Sequence, residues 1–539
     1  MPQLSPLQKQ RLKYHPKLPK ALQDIRIVSL EKDKNGSPLS KRIADLFPLT
    51  SNEPLLKFTK GSRPKISHSL RVGIVLSGGQ APGGHNVISG LYDAIKAFNE
   101  KSSLIGFLNG PGGIVKNDAI EITGELLEKY RNQGGFDLIG SGRTKIETDD
   151  QFKAALAAAT ERNLDGLIVT GGDDSNTNAA LLAEYFAAHQ CKTVVIGVPK
   201  TIDGDLKNPD VAISFGFDTA CKTYSEMIGN IARDALSAKK YYHFIRLMGR
   251  SASHITLECA FATQPNLALI GEEIAREKKT LNHIVSSIAD LICRRAELDK
   301  HFGIILIPEG VIEFIPEIGA LIKELNALLS ISSTLSSQEI HNKLTSASQS
   351  CFSALPEEVQ KQLLLHRDPH GNVQVSFIET EKLLMHMVDT ELSLRQTKGT
   401  YHGNFNGINH FFGYEGRCGF PSNFDCNYCY ALGYTAALLI KNGMTGYMCA
   451  IHNLTLPPSQ WEIAAVPLTS LMDMEMRKGK EKPVIQKALV DLNGKAFAHF
   501  VQHRDEWGIE DTYLSPGPIQ FFGSSLVSES VPFTLLLES

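Results

Sequence analysis

From about residue 71, short apolar runs alternate with polar, glycine-containing loops and with stretches of helical spacing. The run RVGIVLS is rich in β-branched residues and ends in the loop GGQAPGGHN. The following VISGLYDAIKAFNE sets Ile88, Leu91, Ile95 and Phe98 on one helical face. Later cycles read LIGFLNG, then FDLIGSGR, then DGLIVT with the loop GGDDSN and the helix TNAALLAEYFAAHQ, for which Ser175 is the N-cap candidate. KTVVIGVP then leads into KTIDGDL. Repetition of strand, loop and helix predicts a parallel sheet with crossover helices. Ligands of such sheets lie at the carboxyl ends of the strands, so these loops can converge on one cleft.

A second series follows. YHFIRLMGR reads as a strand with SASHITLECAFATQ as its helix, and HFGIILIPEG as a further strand. Residues 316–398 break the rhythm: they read as helical, Ser- and Leu-rich, with a hairpin turn at DPHGN (368–372). The expected organisation is α/β: two Rossmann-like lobes with mostly parallel sheets. Residues 1–70 form an N-terminal helix-and-loop extension, 71–235 a first lobe, 236–315 with 399–539 a second lobe, and 316–398 a mainly helical insertion in it.

The 539 residues are 42% hydrophobic and carry 55 basic and 58 acidic side chains, for a formal charge of −3. That balance argues against a dedicated nucleic-acid binder. Nine scattered cysteines suit a reduced, cytoplasmic protein. The longest clean apolar run, YALGYTAALLI (430–440), is too short to span a bilayer, so no membrane partner is expected. The basic N-terminus lacks the apolar stretch of a signal peptide and reads as an extended arm.

Several loops carry candidate chemistry. SGGQAPGG (77–84) joins a strand to a helix, where backbone N–H groups can approach phosphate closely; it is not a Walker A loop, since no Gly-Lys-Ser/Thr follows. In PKTIDGDL (199–206), Asp203 and Asp205 flank Gly204, a pair able to hold magnesium or to take a proton from a hydroxyl, with Lys200 beside them to neutralise phosphate charge. MGRS, PEG and YEGR each set a polar group just past an apolar run, and together suit an anionic sugar. Two HRD strings, at 366–368 and 503–505, lack the companions a protein kinase needs. CNYC (426–429) opens an apolar helix without a second pair and reads as buried structure.

With SGGQAPGGHN, GGDDSN, PKTIDGDL, MGRS, PEG and YEGR in this order, the chain resembles the phosphofructokinase family, and within it the diphosphate-dependent members of the long, plant-like clade. The resemblance implies the phosphofructokinase fold, Mg2+ as cofactor, and reversible phosphoryl transfer from diphosphate to the 1-hydroxyl of fructose 6-phosphate. By the same resemblance Gly78 and Gly79 lie against the donor phosphates, with Arg143 a further donor contact. Asp173 belongs to the metal site, Asp203 is the base, and Asp205 assists. Thr201, Ile202, Met248, Gly249, Arg250, Glu309, Tyr414 and Arg417 meet the sugar phosphate. The family often completes its sugar site from a neighbouring subunit; Lys240 and Tyr241 hold those positions here, and a homodimer or larger homo-oligomer is implied.

Relatives that use ATP carry a loop resembling GGDGS and a Gly before TIDGD. Here those places hold Asp174 and Lys200. A carboxylate at Asp174 would fill the region of a nucleotide's α-phosphate, where like charges ~4 Å apart repel by roughly 4 kcal/mol at an effective dielectric near 20. Lys200 would then stabilise the transferring phosphoryl group. The alternatives are an ATP-dependent enzyme, against which Asp174 and Lys200 speak, and a non-catalytic regulatory subunit, which would lack some of Asp173, Asp203, Arg250 and Glu309.

Overall fold

The computed structural model describes residues 4–33, 40–51, 53–61, 68–331, 337–365, 373, 377–477 and 480–539. A nine-stranded sheet runs in the order Val28–Asp33, Leu55–Lys60, Glu462–Pro467, Tyr447–His452, Val194–Pro199, Gly166–Gly171, Arg71–Leu76, Ser103–Phe107, Ala119–Ile122. The five strands from Tyr447–His452 to Ser103–Phe107 are parallel, and both flanks are antiparallel. Gly166–Gly171 and Val194–Pro199 are buried along their whole length, as a sheet covered on both faces requires. The helix Gly84–Phe98 buries Ile88, Leu91, Ile95 and Phe98, the face read from their spacing. It packs against the helix Asn423–Lys441.

The second sheet is wholly parallel, in the order Gly407–Phe412, Tyr241–Leu247, Phe302–Pro308, Leu267–Ala268. The described residues of the 316–398 region form the helices Pro316–Ile331, Ser337–Lys343, Ser346–Ala354, Glu357–Leu365 and Thr380–Thr397, of which Thr380–Thr397 packs on Tyr241–Leu247 and Gly407–Phe412. Their Ile318, Leu321, Phe352 and Leu384 share one core with Phe244 and Ile305 of the sheet. The turn expected at 368–372 and the first HRD string lie outside the described residues.

Four expectations need correction. The second lobe does not run unbroken from 399 to 539, because Tyr447–His452 and Glu462–Pro467 pair into the first sheet. Their apolar character says only that they are buried; the helix Asn423–Lys441, crossing onto the first lobe, decides where. The 1–70 extension is not only helix and loop, since Val28–Asp33 and Leu55–Lys60 form the edge of that same sheet. FDLIGSGR is turns rather than strand: Gly135 (φ 89°) just before it and Gly140 (φ 69°) within it take left-handed conformations that an extended strand does not contain. Ser175 is not the cap, because the helix Asp173–Ala188 begins two residues earlier, on Gly172.

The N-terminal arm docks on its own chain. Arg11 is fully buried and donates to Asn423 Oδ1 (2.8 Å), Pro421 O (3.0 Å) and Cys426 Sγ (2.9 Å). Cys426 and Cys429 are thus interior groups of a helix, as read from the sequence. The second HRD string lies in the helix Lys495–Ile509, where Arg504 pairs with Glu273 at 2.8 Å.

Candidate active site

The order of strands reverses between the parallel neighbours Arg71–Leu76 and Gly166–Gly171: the chain leaves one toward Ser103–Phe107 and the other toward Val194–Pro199. Such a switch point opens a crevice at the carboxyl ends of the two strands. Ser175 Oγ donates to Ser77 Oγ across it at 2.7 Å, tying the SGGQAPGG loop to the start of the GGDDSN helix. At Gly79 the backbone comes close to charged side chains. A Cβ there would stand 2.6 Å from Arg417 Nη1 and 3.7 Å from Arg143 Nη2. Lys200 Nζ donates to Gly79 O at 2.7 Å and is buried. Burial, then the Arg417 charge, pushes Lys200 down to about 8, against the pull of Asp203. Burial, then Arg250 and Arg417, lowers Arg143.

The facing wall is acidic. Gly204 turns the IDGDL loop at φ 75°, and a Cβ would stand 2.9 Å from the Phe217 ring, so the two carboxylates are held apart on a turn only glycine allows. Asp203 N donates to Thr201 Oγ1 at 3.1 Å, and Ile202 is buried beneath. Burial and the Asp203 charge push Asp205 up to about 7. Asp173, on the first turn of its helix, has a buried Oδ2 with no hydrogen-bond partner among the described residues. Lys487 Nζ stands 3.9 Å from that oxygen and 3.8 Å from Asp205 Oδ2, and donates to Ser251 Oγ at 2.6 Å.

Magnesium fits this wall. Among the described residues no three His, Cys, Asp or Glu side chains gather into a closed metal cage. Mg2+ needs no such cage where one or two carboxylates, substrate phosphates and water complete its shell. The orphaned Asp173 oxygen is the ligand such a shell lacks from protein.

The second lobe closes the cleft. Glu309, buried, accepts from Gly249 N at 3.1 Å, and burial followed by the Asp203 charge raises its pKa. Burial works against Arg250, but Asp203 and Glu309 outweigh it and raise its pKa. Arg417 Nε donates to Met248 Sδ at 3.2 Å, and its guanidinium lies 5.1 Å from the Tyr414 ring centre. Arg417 therefore stands between the Gly79 loop and the MGRS loop. Tyr414 itself is 74% exposed. Lys240 and Tyr241 are not part of this cleft. They sit at the amino end of Tyr241–Leu247, with Tyr241 seven residues or about 23 Å of strand from Met248 and exposed at φ 71°.

Asp174 stands at the donor side but is not a bare charge, because Lys145 Nζ pairs with it at 3.1 Å. The repulsion estimated for an unpaired carboxylate is therefore an upper bound. Lys145, Ser251 and Lys487 were not singled out from the sequence. Lys145 follows a glycine turn, and Lys487 lies in the motif-free PVIQKALVD, so no local signal marks either.

The fold and the loops agree with known proteins. The family model "Phosphofructokinase" matches residues 71–364. The chain belongs to the phosphofructokinase family. Among curated relatives, it is 55% identical over 504 residues to "Pyrophosphate--fructose 6-phosphate 1-phosphotransferase subunit beta 1" of Arabidopsis thaliana, covering 93% of this chain and 88% of the relative. It is 52% identical over 556 residues to "Pyrophosphate--fructose 6-phosphate 1-phosphotransferase" of Treponema pallidum, covering 99% and 97%. A crystal structure of a pyrophosphate-dependent phosphofructokinase from Nitrosospira multiformis superposes with a TM-score of 0.54 at 15% identity, over 82% of this chain and 92% of that one. At that identity the likeness shows the phosphofructokinase fold alone.

Proposed function

We propose that the cleft transfers a phosphoryl group from diphosphate to the 1-hydroxyl of fructose 6-phosphate, giving fructose 1,6-bisphosphate and phosphate. Near-full-length identity above 50% to relatives bearing that activity in their names supports the reaction. The observation that carries the assignment to this cleft is the opposition of two walls at one switch point: the carboxylates of Asp173, Asp203 and Asp205 face Lys200, Arg143, Arg250 and Arg417.

Diphosphate lies along the backbone of Gly78 and Gly79, with Lys200 and Arg143 spreading its charge. Phosphoryl transfer needs chiefly positioning and electrostatic stabilisation, and this wall supplies both. Asp203 accepts the proton of the 1-hydroxyl as that oxygen bonds to the transferred phosphorus; the bond from phosphorus to the bridging oxygen breaks, and phosphate leaves with the electron pair. Burial and the Asp203 charge push Asp205 up to about 7, and in its protonated form it presents a donor rather than a second negative charge. Asp173, with the donor and water, would hold magnesium, which when bound would neutralise charge at the phosphates. Thr201, Ile202, Met248, Gly249, Arg250 and Glu309 line the sugar, and Tyr414 with Arg417 takes its phosphate. Lys240 and Tyr241 serve a neighbouring subunit's cleft, so the working form is an oligomer.

A donor assay on the purified chain tests this. Turnover with diphosphate and Mg2+, with little or none with ATP, is expected; turnover with ATP alone would overturn it. Activity without a second polypeptide separates the enzyme from a regulatory subunit.

A further inference from the structure

The segment that follows the hairpin Met472–Arg477 and Lys480–Ile485 is laced across the cleft floor. Ile485 N donates to Thr177 Oγ1 (3.0 Å) and Ala488 N to Asp205 O (2.7 Å), both in the first lobe. Ala488 O lies 2.9 Å from His254 Nε2, and Val490 N donates to Glu272 Oε1 (3.0 Å), both in the second. Anchors on both sides fix the backbone of Lys487, and its side chain, 35% exposed, reaches into the cleft.

Its ammonium group stands nearly equidistant from Asp173 Oδ2 and Asp205 Oδ2, at 3.9 and 3.8 Å. At those distances Lys487 Nζ donates to neither oxygen; its hydrogen bond, 2.6 Å, goes to the hydroxyl of Ser251 in the MGRS loop. The cation is therefore held beside the acidic pair, in the region a bridging divalent ion would enter, without occupying either oxygen's bonding shell. From there its flexible stem can turn toward the phosphates the carboxylates face.

We infer that Lys487 is a further donor-site residue: the resident counter-ion of Asp173 and Asp205 in the donor-free protein, which passes to the diphosphate when the metal arrives with it. This rests on reading the cleft as the diphosphate site. It follows that free divalent cations bind the empty cleft weakly and enter mainly as their diphosphate complexes, since a lysine 4 Å away repels a free cation and attracts the anionic complex.

The test is a Mn2+ titration of the full chain without sugar, read by the paramagnetic signal of free Mn2+. Lys487→Met should bind free Mn2+ at least about tenfold more tightly than wild type, and Lys487→Arg should resemble wild type. With methylenediphosphonate present, the order should invert, Lys487→Met binding the Mn2+ complex at least about threefold more weakly. Free-Mn2+ affinity within twofold of wild type in a folded Lys487→Met, or no inversion with the analogue, would overturn the inference. Should the Met variant fail to fold, Lys487→Gln gives the same reading. Neither readout needs turnover, so this inference can fail while the donor assay succeeds.

Discussion

Two pairs of aspartates in this protein have the same electrostatic signature and opposite fates. Asp203 and Asp205 face the cleft, and burial with the neighbouring charge pushes Asp205 up to about 7. Asp218 and Asp425 lie where the first turns of Phe217–Ala238 and Asn423–Lys441 meet, and burial with the Asp218 charge pushes Asp425 to the same value. The difference lies in what their oxygens touch. Asp425 accepts from Gly216 N and Thr219 N at 3.0 Å each, and Asp218 from Lys222 Nζ at 2.7 Å. These bonds pin two helix N-termini together, where negative charge is favoured. In the cleft no such set of backbone donors pins Asp203 or Asp205 among the described residues, and the neighbouring Asp173 Oδ2 has no hydrogen-bond partner among them. A perturbed acid is a weak sign of chemistry; a perturbed acid whose neighbours leave buried oxygens unsatisfied is a strong one.

Mutating each pair should separate the two roles. Asp203→Ser removes the base, and turnover should fall by about a thousandfold or more with sugar affinity little changed. Steady-state assays check this, and activity within threefold of wild type would remove Asp203 from the chemistry. Asp425→Ala leaves the two amide donors and the Thr219 hydroxyl buried without their acceptor, so the protein should lose about 3 kcal/mol or more of stability in urea melts. Turnover per folded molecule should hold. A converse result, in which Asp425 moves kcat and Asp203 moves only the melt, would break the comparison.

Acidity sharpens it further. Lys200 loses its charge above about pH 8, so the diphosphate kcat/KM should fall roughly tenfold per pH unit beyond it. Its folded value lies below its ordinary 10.5, so the folded state binds fewer protons across that window and the burial penalty is relieved as pH rises. Activity and this part of stability thus move in opposite directions. Asp425 behaves otherwise. Its folded value is raised, so its contribution is full below about 3.8 and is lost as pH rises through about 7. The smallest effect belongs to Lys145→Met. Removing this half-exposed partner of Asp174 should raise the KM for diphosphate a few-fold, about 1 kcal/mol, leaving kcat for the sugar unchanged. No change in KM would make the pair a surface feature without bearing on the donor.

Much of this was legible along the chain. The apolar face of Gly84–Phe98 and the strand-to-loop order of the motifs follow from local spacing, which the backbone period enforces. FDLIGSGR misled because its apolar content resembles a strand, while Gly135 and Gly140 set turns that composition does not weigh. Tyr447–His452 and Glu462–Pro467 are plainly strands, yet which sheet they join depends on the path of a helix begun more than twenty residues earlier.

The chain by itself determined which chemistry is present: glycines able to admit phosphate, acids on a tight turn, and arginines just past buried strands, each set by neighbours a few residues away. Only the tertiary structure decided which charges face each other. Lys145 pairs with Asp174, and Lys487 stands beside Asp173 and Asp205. Partners separated by tens or hundreds of residues meet through packing, and electrostatic interaction falls with distance in space, which separation along the chain does not measure.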